Sequence, residues 1–369
     1  MSSYPSPRIL MGPGPSCVSA NVLSAMSIAP VGYLDPELFQ ILDSIRVSLR
    51  RLFETDNEFT IPITGTGMAG MECCLANTIE HGDKVVVGVN GFFGARIAEI
   101  AGLLGADVTV VNAEWGHILE PDMFRKAVSS LSNIKLAACV QAETSTGIYQ
   151  PLEEISSIAH EHGALFLADA VTSLGGMPVQ TDVNHFDICY SAVQKCVGAP
   201  PGLSPITVSE KAFQLRLDRK SPLSHWFFDW KLLHNFFDGN HVYHHTVPVN
   251  HYYALKAALD EIEEEGLPER WERHKNISSI LINELAELGI VPFAQEGYRL
   301  TTLNAVIIPE HIHNEAEIRS RLLQEYGIEI GSGLGVLKGR IWRIGTMGAS
   351  ATLRNVQLTV AALKKIISQ

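Results

Sequence analysis

The chain has 369 residues, of which 46% are hydrophobic and 18% are charged, and its formal net charge is -12. This composition fits a folded protein of two or three domains, and it argues against nucleic acid or an anionic membrane as a partner because no basic patch offsets the charge. No apolar run reaches the roughly 18 residues that a membrane span requires, and residues 1–8 lack the apolar core of a signal peptide. We therefore expect a cytoplasmic location.

The six cysteines all lie within the first 196 residues, and none belongs to a C-x-x-C pair. Without a secretion signal, this spacing favours reduced core thiols over a disulfide framework or a zinc site. We therefore expect no metal to be bound.

Short apolar runs alternate with helical patterns between residues 60 and 210. The runs are residues 85–89, 107–111, 136–140, 165–168 and 188–190. Residues 155–163 predict one of the connecting helices, closed by a glycine cap. The alternation predicts an α/β domain whose mainly parallel sheet has helices on both faces.

From residue 249 the helical patterns become longer. Residues 251–265 and 267–288 predict two helices that are separated at Gly266. The elements predicted beyond them are strands at 303–308, 328–330 and 341–344 and a helix at 314–326. The predicted organisation is an N-terminal arm at 1–13, a large domain at 14–262 and a smaller C-terminal α/β domain at 263–369.

Asp169 and Lys195 follow neighbouring apolar runs and suit the two ends of one aldehyde cofactor. Open α/β sheets bind ligands at the carboxyl ends of their strands, where both residues are expected. A lysine amine forms a Schiff base with an aldehyde, and a carboxylate beside a pyridine nitrogen keeps that nitrogen protonated. Each residue alone is ordinary, since most lysines are exposed and many aspartates cap helices. The pair predicts pyridoxal phosphate.

A glycine-rich turn at residues 64–70 follows a strand-like run and opens a helix. The backbone N–H groups of Gly67 and Met68 and the hydroxyl of Thr66 suit an anion such as phosphate. Such a turn is by itself more often an ordinary connection between a strand and a helix. Its position in a chain with Asp169 and Lys195 predicts a phosphate site.

Phe92 and Phe93 follow the predicted strand at 85–89. An aromatic ring at that strand end could stack on one face of a pyridine ring, with Val171 on the other face. We expect one of the two rings to belong to the core. Phe93, next to Gly94, is the predicted stacking residue.

Eight short motifs lie in order along the chain, at residues 11–16, 64–67, 143–147, 169–176, 191–195, 199–202, 243–248 and 343–345. Together they resemble the class V aminotransferases of the alanine–glyoxylate and serine–glyoxylate (serine–pyruvate) type. The resemblance extends from about residue 9 to the C-terminus, and the number of motifs makes it specific. It implies a fold-type I α/β enzyme that binds pyridoxal phosphate and forms a homodimer with shared active sites.

The resemblance implies a role for each matched residue around the cofactor. Lys195 would form the Schiff base and move protons, Asp169 would pair with the pyridine nitrogen, and Thr144 would lie near the ring hydroxyl. The residues that would hold the phosphate are Thr66, Gly67, Met68, Gln194 and, reaching in from a partner subunit, Tyr243 and Thr246.

Substrate binding would involve Arg343 and Gly14. The planar guanidinium of Arg343 suits a bidentate grip on an α-carboxylate, whereas its ordinary role would be a structural salt bridge. The implied reaction moves an amino group from alanine or serine to glyoxylate or pyruvate.

Other transaminases of the same class remain open as alternatives. Pyridoxamine–pyruvate aminotransferase would place a carboxylate in the phosphate turn and a second arginine before the Arg343 strand, where this chain has Met68 and Leu334. Donors such as 2-aminoethylphosphonate or ureidoglycine differ only in details of the substrate pocket.

Two further classes are less compatible with the sequence. A cysteine desulfurase needs a mobile cysteine late in the chain, and none follows Cys196. A nucleotide-binding protein is suggested by the glycine spacing of residues 65–70, but the acidic residues at 80–83 fall in a turn instead of ending a second strand.

Overall fold

The computed structural model describes residues 4–368. The helices are α1 Ala20–Met26, α2 Pro36–Phe53, α3 Gly67–Thr78, α4 Phe92–Leu103, α5 Pro121–Ser129, α6 Glu153–Glu161, α7 Glu210–Leu217, α8 Trp230–Phe237, α9 Val249–Glu265, α10 Leu267–Ala286, α11 Glu315–Tyr326 and α12 Leu353–Ile367. The strands are β1 Ile9–Leu10, β2 Phe59–Thr64, β3 Lys84–Val89, β4 Asp107–Asn112, β5 Ile134–Val140, β6 Ala142–Glu143, β7 Ile148–Tyr149, β8 Leu165–Asp169, β9 Ile188–Tyr190, β10 Leu203–Val208, β11 Leu303–Ile307, β12 Ile328–Glu329, β13 Gly331–Ser332 and β14 Ile341–Gly345.

A seven-stranded sheet with the order β2-β10-β9-β8-β5-β3-β4 forms the centre of the larger part of the chain. Strands β4, β3, β5, β8 and β9 pair in parallel, and β10 is antiparallel to both of its neighbours. Strands β8, β9 and β10 are buried along their whole length, as continuous apolar runs in a helix-covered sheet should be. The predicted α/β fold with a mainly parallel sheet is confirmed.

The carboxyl ends of strands β8 and β9 determine where Asp169 and Lys195 lie. Asp169 is the last residue of β8, and it lies opposite Tyr190, the last residue of β9. Because β8 and β9 are parallel, the segments after them leave from the same edge of the sheet. The turn after β9 carries Lys195, in a short π-helical turn at Val193–Val197.

The C-terminal part is built around a second, smaller sheet with the order β11-β14-β13. The predicted break between the two long helices is confirmed, since α9 ends at Glu265 and α10 begins at Leu267, with Gly266 at a φ of 84° between them. The strand predicted at 328–330 is present as β12, which ends at Glu329 and pairs with β1. A separate short strand that was not predicted, β13, begins at Gly331 and pairs with β14.

Two main hydrophobic clusters accompany the two sheets. The larger contains buried residues between Val22 and Ile262. The second contains residues from Ile277 to Ile366 together with Met11, which follows the short strand β1. The end of the predicted arm thus packs with the C-terminal part of the chain, and the predicted domain boundaries stay a prediction.

Two kinds of feature are absent from the described residues. Within residues 4–368, no helix combines the length and the apolar character needed to cross a membrane. The same residues contain no group of three or more histidine, cysteine or acidic side chains placed to hold a metal ion. The six cysteines are unpaired, and all but Cys17 are buried.

Candidate active site

One cavity gathers most of the predicted site residues at the carboxyl edge of the large sheet. Nine of them line it: Thr66, Gly67, Met68, Phe93, Thr144, Asp169, Val171, Gln194 and Lys195. The other lining residues are Met71, Val140, Ala142 and Tyr190. Residues from the ends of several strands therefore share one concave site.

The Lys195 amine is buried inside this site. Its Nζ donates a hydrogen bond to the carbonyl oxygen of Pro13. Gly14 has a φ of 111°, and a Cβ added to it would lie 2.5 Å from Lys195 Nζ, so glycine is required there by both backbone and space. Burial, together with the charge of Arg343, lowers the pKa of Lys195 to about 8.

Hydrogen bonds from both sides fix the backbone around Lys195. Ser16 N–H donates to Gln194 O at 3.0 Å, and Ser16 Oγ donates to Lys195 O at 2.8 Å. On the other side, Arg270 Nη2 donates to Cys196 O at 2.7 Å. The N-terminal segment and α10 therefore hold the lysine turn between them.

Asp169 presents a buried carboxylate to the same cavity, with only 2% of its surface exposed. Its Oδ2 accepts a hydrogen bond from Tyr190 Oη at 2.6 Å, and its Oδ1 accepts one from Val171 N at 2.8 Å. Burial raises the pKa of Asp169 to about 7, although both hydrogen bonds act in the opposite direction. A cationic N–H group next to this carboxylate would favour its ionised form.

The start of α3 forms the end of the cavity expected to bind phosphate. Thr66 is the N-cap residue, and its hydroxyl makes no capping hydrogen bond. A Cβ added to Gly67 would lie 3.1 Å from Ala192 Cβ and 3.2 Å from Val171 Cγ2, so the backbone approaches its neighbours closely here. Met68 is 40% exposed. Free N–H groups at a helix N-terminus attract anions.

The side chain of Gln194 is incompletely bonded. Its Oε1 atom is buried and has no hydrogen-bond partner among residues 4–368. Buried polar atoms in folded proteins are nearly always paired, so an unpaired one inside a cavity indicates a group that a ligand can satisfy.

Phe93 and Thr144 both line the cavity. Of the two adjacent phenylalanines, Phe93 lines the cavity and Phe92 does not. Thr144 Oγ1 is 2.5 Å from Thr172 Oγ1 in a buried hydrogen bond. Thr172 belongs to the turn after Asp169, so this bond joins the segments that follow β6 and β8.

Arg343, on strand β14, is 7% exposed and does not line the cavity itself, but it contacts Thr144, which does. Its Nε donates to Ser332 O at 2.7 Å, and its Nη1 lies 3.5 Å from Thr144 O. Burial lowers the pKa of Arg343 to about 10, and the charge of Glu143 opposes that shift. At neutral pH the guanidinium remains a cation with N–H groups available to a carboxylate.

Tyr243 and Thr246 lie apart from these residues. Both side chains are exposed and neither lines the cavity of its own chain. The Tyr243 ring packs against Tyr33, with centroids 5.1 Å apart. Between the two residues, His245 Nε2 is 2.8 Å from Thr64 Oγ1, which connects this segment to the strand before the phosphate turn.

Two residues of the site were not predicted from the sequence. Tyr190 bonds to Asp169, and Glu143 bonds to the start of α4. Aligning the ends of the predicted strands could have placed Tyr190 beside Asp169. No pattern in the sequence around Glu143 indicates its contact with the start of α4.

The chain is similar to known aminotransferases along nearly its whole length. The family model described as aminotransferase class-V matches residues 20–357. The chain is 35% identical to the alanine–glyoxylate aminotransferase of Oryctolagus cuniculus, over 98% of this chain and 92% of that protein. It is 34% identical to the (S)-ureidoglycine–glyoxylate transaminase of Bacillus subtilis (strain 168), over 98% of this chain and 90% of that protein.

A solved structure is also similar. It is an alanine–glyoxylate aminotransferase from Nostoc sp., which superposes with a TM-score of 0.96 at 40% sequence identity. The match covers 100% of this chain and 97% of that chain.

Proposed function

Because this chain belongs to the class V aminotransferase family, we propose that it uses pyridoxal phosphate to move an amino group from alanine or serine to glyoxylate or pyruvate. The observation that carries the proposal is the single cavity shared by the Lys195 amine, the Asp169 carboxylate and the start of α3. These groups match the aldehyde, the pyridine nitrogen and the phosphate of the cofactor. The similar alanine–glyoxylate aminotransferases support the choice of substrates.

The residues present fit this cofactor. The buried carboxylate of Asp169 suits a pyridinium N–H, which would favour the ionised acid. The Thr66 hydroxyl and the first N–H groups of α3 suit a phosphate, and a flip of the Gln194 amide would present its NH2 group there. Phe93 and Val171 line the cavity as apolar groups for the ring faces.

Bound pyridoxal phosphate supplies an aldehyde that bonds to amines and a ring that withdraws electrons from the substrate Cα. Lys195 Nζ, with a pKa of about 8, can take a proton from Cα and return one, because both of its forms are accessible near neutral pH. Asp169 holds a proton at the pyridine nitrogen. Arg343 binds the α-carboxylate and orients Cα toward Lys195.

We also propose a homodimer with shared sites, in a cytoplasmic location. Tyr243 and Thr246 are exposed in a single chain, and the neighbouring side chains of Trp226, Phe227 and Val242 are exposed as well. Such a cluster of large apolar side chains is typical of a surface that another chain covers. A partner subunit would place Tyr243 and Thr246 beside the phosphate.

Ureidoglycine is the second candidate donor, because a transaminase named for it is about as similar to this chain as the alanine–glyoxylate enzymes are. Pyridoxamine remains a less favoured substrate. The relevant positions hold Met68 and Leu334 in place of a carboxylate and an arginine.

A panel of half-reactions tests the donor. Protein loaded with pyridoxal phosphate is mixed with alanine, serine, glycine, aspartate, 2-aminoethylphosphonate or ureidoglycine, and loss of the cofactor's aldehyde form is followed by absorbance. We expect alanine or serine to react fastest and glyoxylate or pyruvate to reverse the change. Faster release of pyridoxal from pyridoxamine and pyruvate would favour the vitamer as substrate, and a faster reaction with ureidoglycine would favour that donor.

A further inference from the structure

Glu143 is fully buried, and its two carboxylate oxygens accept four hydrogen bonds. Its Oε1 accepts bonds from Ser145 N at 3.0 Å and Ser145 Oγ at 2.6 Å. Its Oε2 accepts bonds from Phe93 N at 3.0 Å and Gly94 N at 3.2 Å. Burial raises the pKa of Glu143, and the hydrogen bonds from Ser145, Phe93 and Gly94 act in the opposite direction. Four donors around two oxygens match the acceptor-only character of an ionised carboxylate.

The Glu143 carboxylate takes the place of an N-cap side chain, which helix α4 lacks. The N-cap residue of α4 is Gly91, which has no side chain to cap the first N–H groups. A Cβ added to Gly91 would lie 2.5 Å from Glu143 Cδ and 2.6 Å from Ser145 Oγ. Ser145 Oγ also accepts a bond from Phe92 N at 2.9 Å. Glu143 and Ser145 therefore bind three consecutive N–H groups at the positive end of the helix.

Three residues of the proposed site depend on this arrangement. The Phe93 N–H is bonded to Glu143 directly, and Thr144 is held between Glu143 and Ser145 in the chain. Arg343 Nη1 approaches Thr144 O at 3.5 Å, and the charge of Glu143 raises the pKa of Arg343 against the effect of burial. The Glu143 side chain therefore influences Phe93, the predicted stacking residue, Thr144, which is expected near the ring hydroxyl, and Arg343, which is expected to bind the substrate.

We propose that Glu143 is a positioning residue of the aminotransferase site, which holds Phe93 and Thr144 in place and moderates the attraction of Arg343 for the substrate carboxylate. The inference rests on the proposed function, because it assumes that pyridoxal phosphate and an amino acid occupy the cavity. A site residue is placed accurately when its own neighbours are locked by packing and hydrogen bonds. In a buried site, a negative charge near Arg343 also reduces the potential that draws in a second carboxylate.

The test uses Glu143→Gln, which keeps the size of the side chain, removes the charge and turns an NH2 group toward at least one N–H donor. Affinity for pyridoxal phosphate is measured by equilibrium dialysis, and ring placement by the visible circular dichroism of the bound cofactor. We expect affinity to fall at least about tenfold and the dichroism to change, because small displacements in a catalytic site have large effects. We also expect kcat to fall about tenfold while KM for the amino acid stays constant or falls.

Two further variants provide the controls. Glu99→Gln makes the same chemical change on the exposed side of α4, and wild-type values are expected. Ser145→Ala removes one hydroxyl but leaves the carboxylate, so a smaller loss of cofactor affinity with an unchanged KM is expected.

Glu143→Gln with cofactor affinity, dichroism and kcat like those of the wild type would overturn the proposal, and a rise in KM would overturn its electrostatic part. If Glu143→Gln does not fold, Ser145→Ala decides, because unchanged affinity and dichroism in that variant would contradict the positioning role. Failure of the wild-type protein itself to bind pyridoxal phosphate would instead refute the proposed function.

Discussion

At the scale of single residues, burial shifts the two central ionisable groups in opposite directions. It lowers the pKa of Lys195 to about 8 and raises that of Asp169 to about 7. In both cases the charged form is disfavoured because it loses contact with water. A larger fraction of Lys195 is therefore the neutral, nucleophilic amine near neutral pH. Asp169 correspondingly has a higher affinity for a cationic partner. Perturbed pairs of this kind are typical of catalytic sites.

The pKa of Lys195 can be tested through the pH dependence of cofactor capture. The rate at which cofactor-free protein reacts with pyridoxal phosphate should rise with pH and reach its midpoint near 8, because only the neutral amine attacks the aldehyde. Stopped-flow absorbance measures the rate. Arg343→Met should move the midpoint upward, since the Arg343 charge lowers the pKa of Lys195, and Arg343→Lys should leave it near 8. A wild-type midpoint near the ordinary lysine value of 10.5 would contradict the prediction.

Site residues could be predicted only where the sequence directly around them carries a recognisable pattern. Lys195 and Asp169 each follow an apolar run, and their chemistry points to one cofactor. The partner of Tyr190 lies 21 residues away and that of Glu143 lies 50 residues away. Contacts over such distances depend on strand register and helix placement, which propensity does not specify.

At the scale of elements, the first turns of α10 connect the segments that carry the site. Arg270 Nε donates to Gly175 O at 2.9 Å, in the segment after β8, and its Nη2 donates to Cys196 O, after Lys195. His274 Nε2 accepts a bond from Gly348 N at 3.0 Å, in the segment after β14. One helix start therefore joins the segments of Asp169, Lys195 and Arg343.

Arg270→Met tests the contribution of this helix to stability. Arg270 also donates to Glu265 Oε2 at 2.6 Å, but Glu265 is partly exposed and keeps its bonds to Arg273, so the main loss in the variant is the donor to two buried carbonyl groups. We expect the free energy of unfolding in urea to fall by about 2–3 kcal/mol. The matched change Arg51→Met removes an exposed pair with Glu263 and should cost less than about 1 kcal/mol. Similar losses for the two variants would show that Arg270 has no special role.

Elements with a local pattern were predicted well, and those defined by their partners were not. The two long helices were recognisable from their apolar periodicity and from the break at Gly266. The short strand β13, directly after β12, was not predicted, because the two strands are distinguished only by pairing with β14 and β1, respectively. Pairing between distant segments has no signature within either strand.

At the scale of the whole molecule, the site is assembled from both parts of the chain and, in our proposal, from two chains. Thr144, which lines the cavity, and Arg343, which contacts it, are 199 positions apart in sequence. The exposed segment with Tyr243 and Thr246 would complete the phosphate site of a partner. A shared site makes activity a property of the pair of subunits.

Mixed dimers test the sharing of sites. Lys195→Ala and the double variant Tyr243→Ala, Thr246→Ala should each be nearly inactive alone. After the two are unfolded and refolded together, about a quarter of wild-type activity should return, because half of the dimers are mixed and each has one intact site. The absence of any recovery, with mixed dimers detected by mass spectrometry, would argue that each chain completes its own site.

The most direct measurement of the central claim is the visible absorbance of the protein with pyridoxal phosphate, before and after L-alanine is added. The wild-type protein should bind the cofactor covalently, lose the band of the bound aldehyde form with alanine, release one pyruvate per site and recover the band with glyoxylate. Lys195→Ala should show no covalent capture, whereas Lys364→Ala, at an exposed position of α12, should behave as the wild type. Covalent capture and full transamination by Lys195→Ala would contradict the assignment of Lys195.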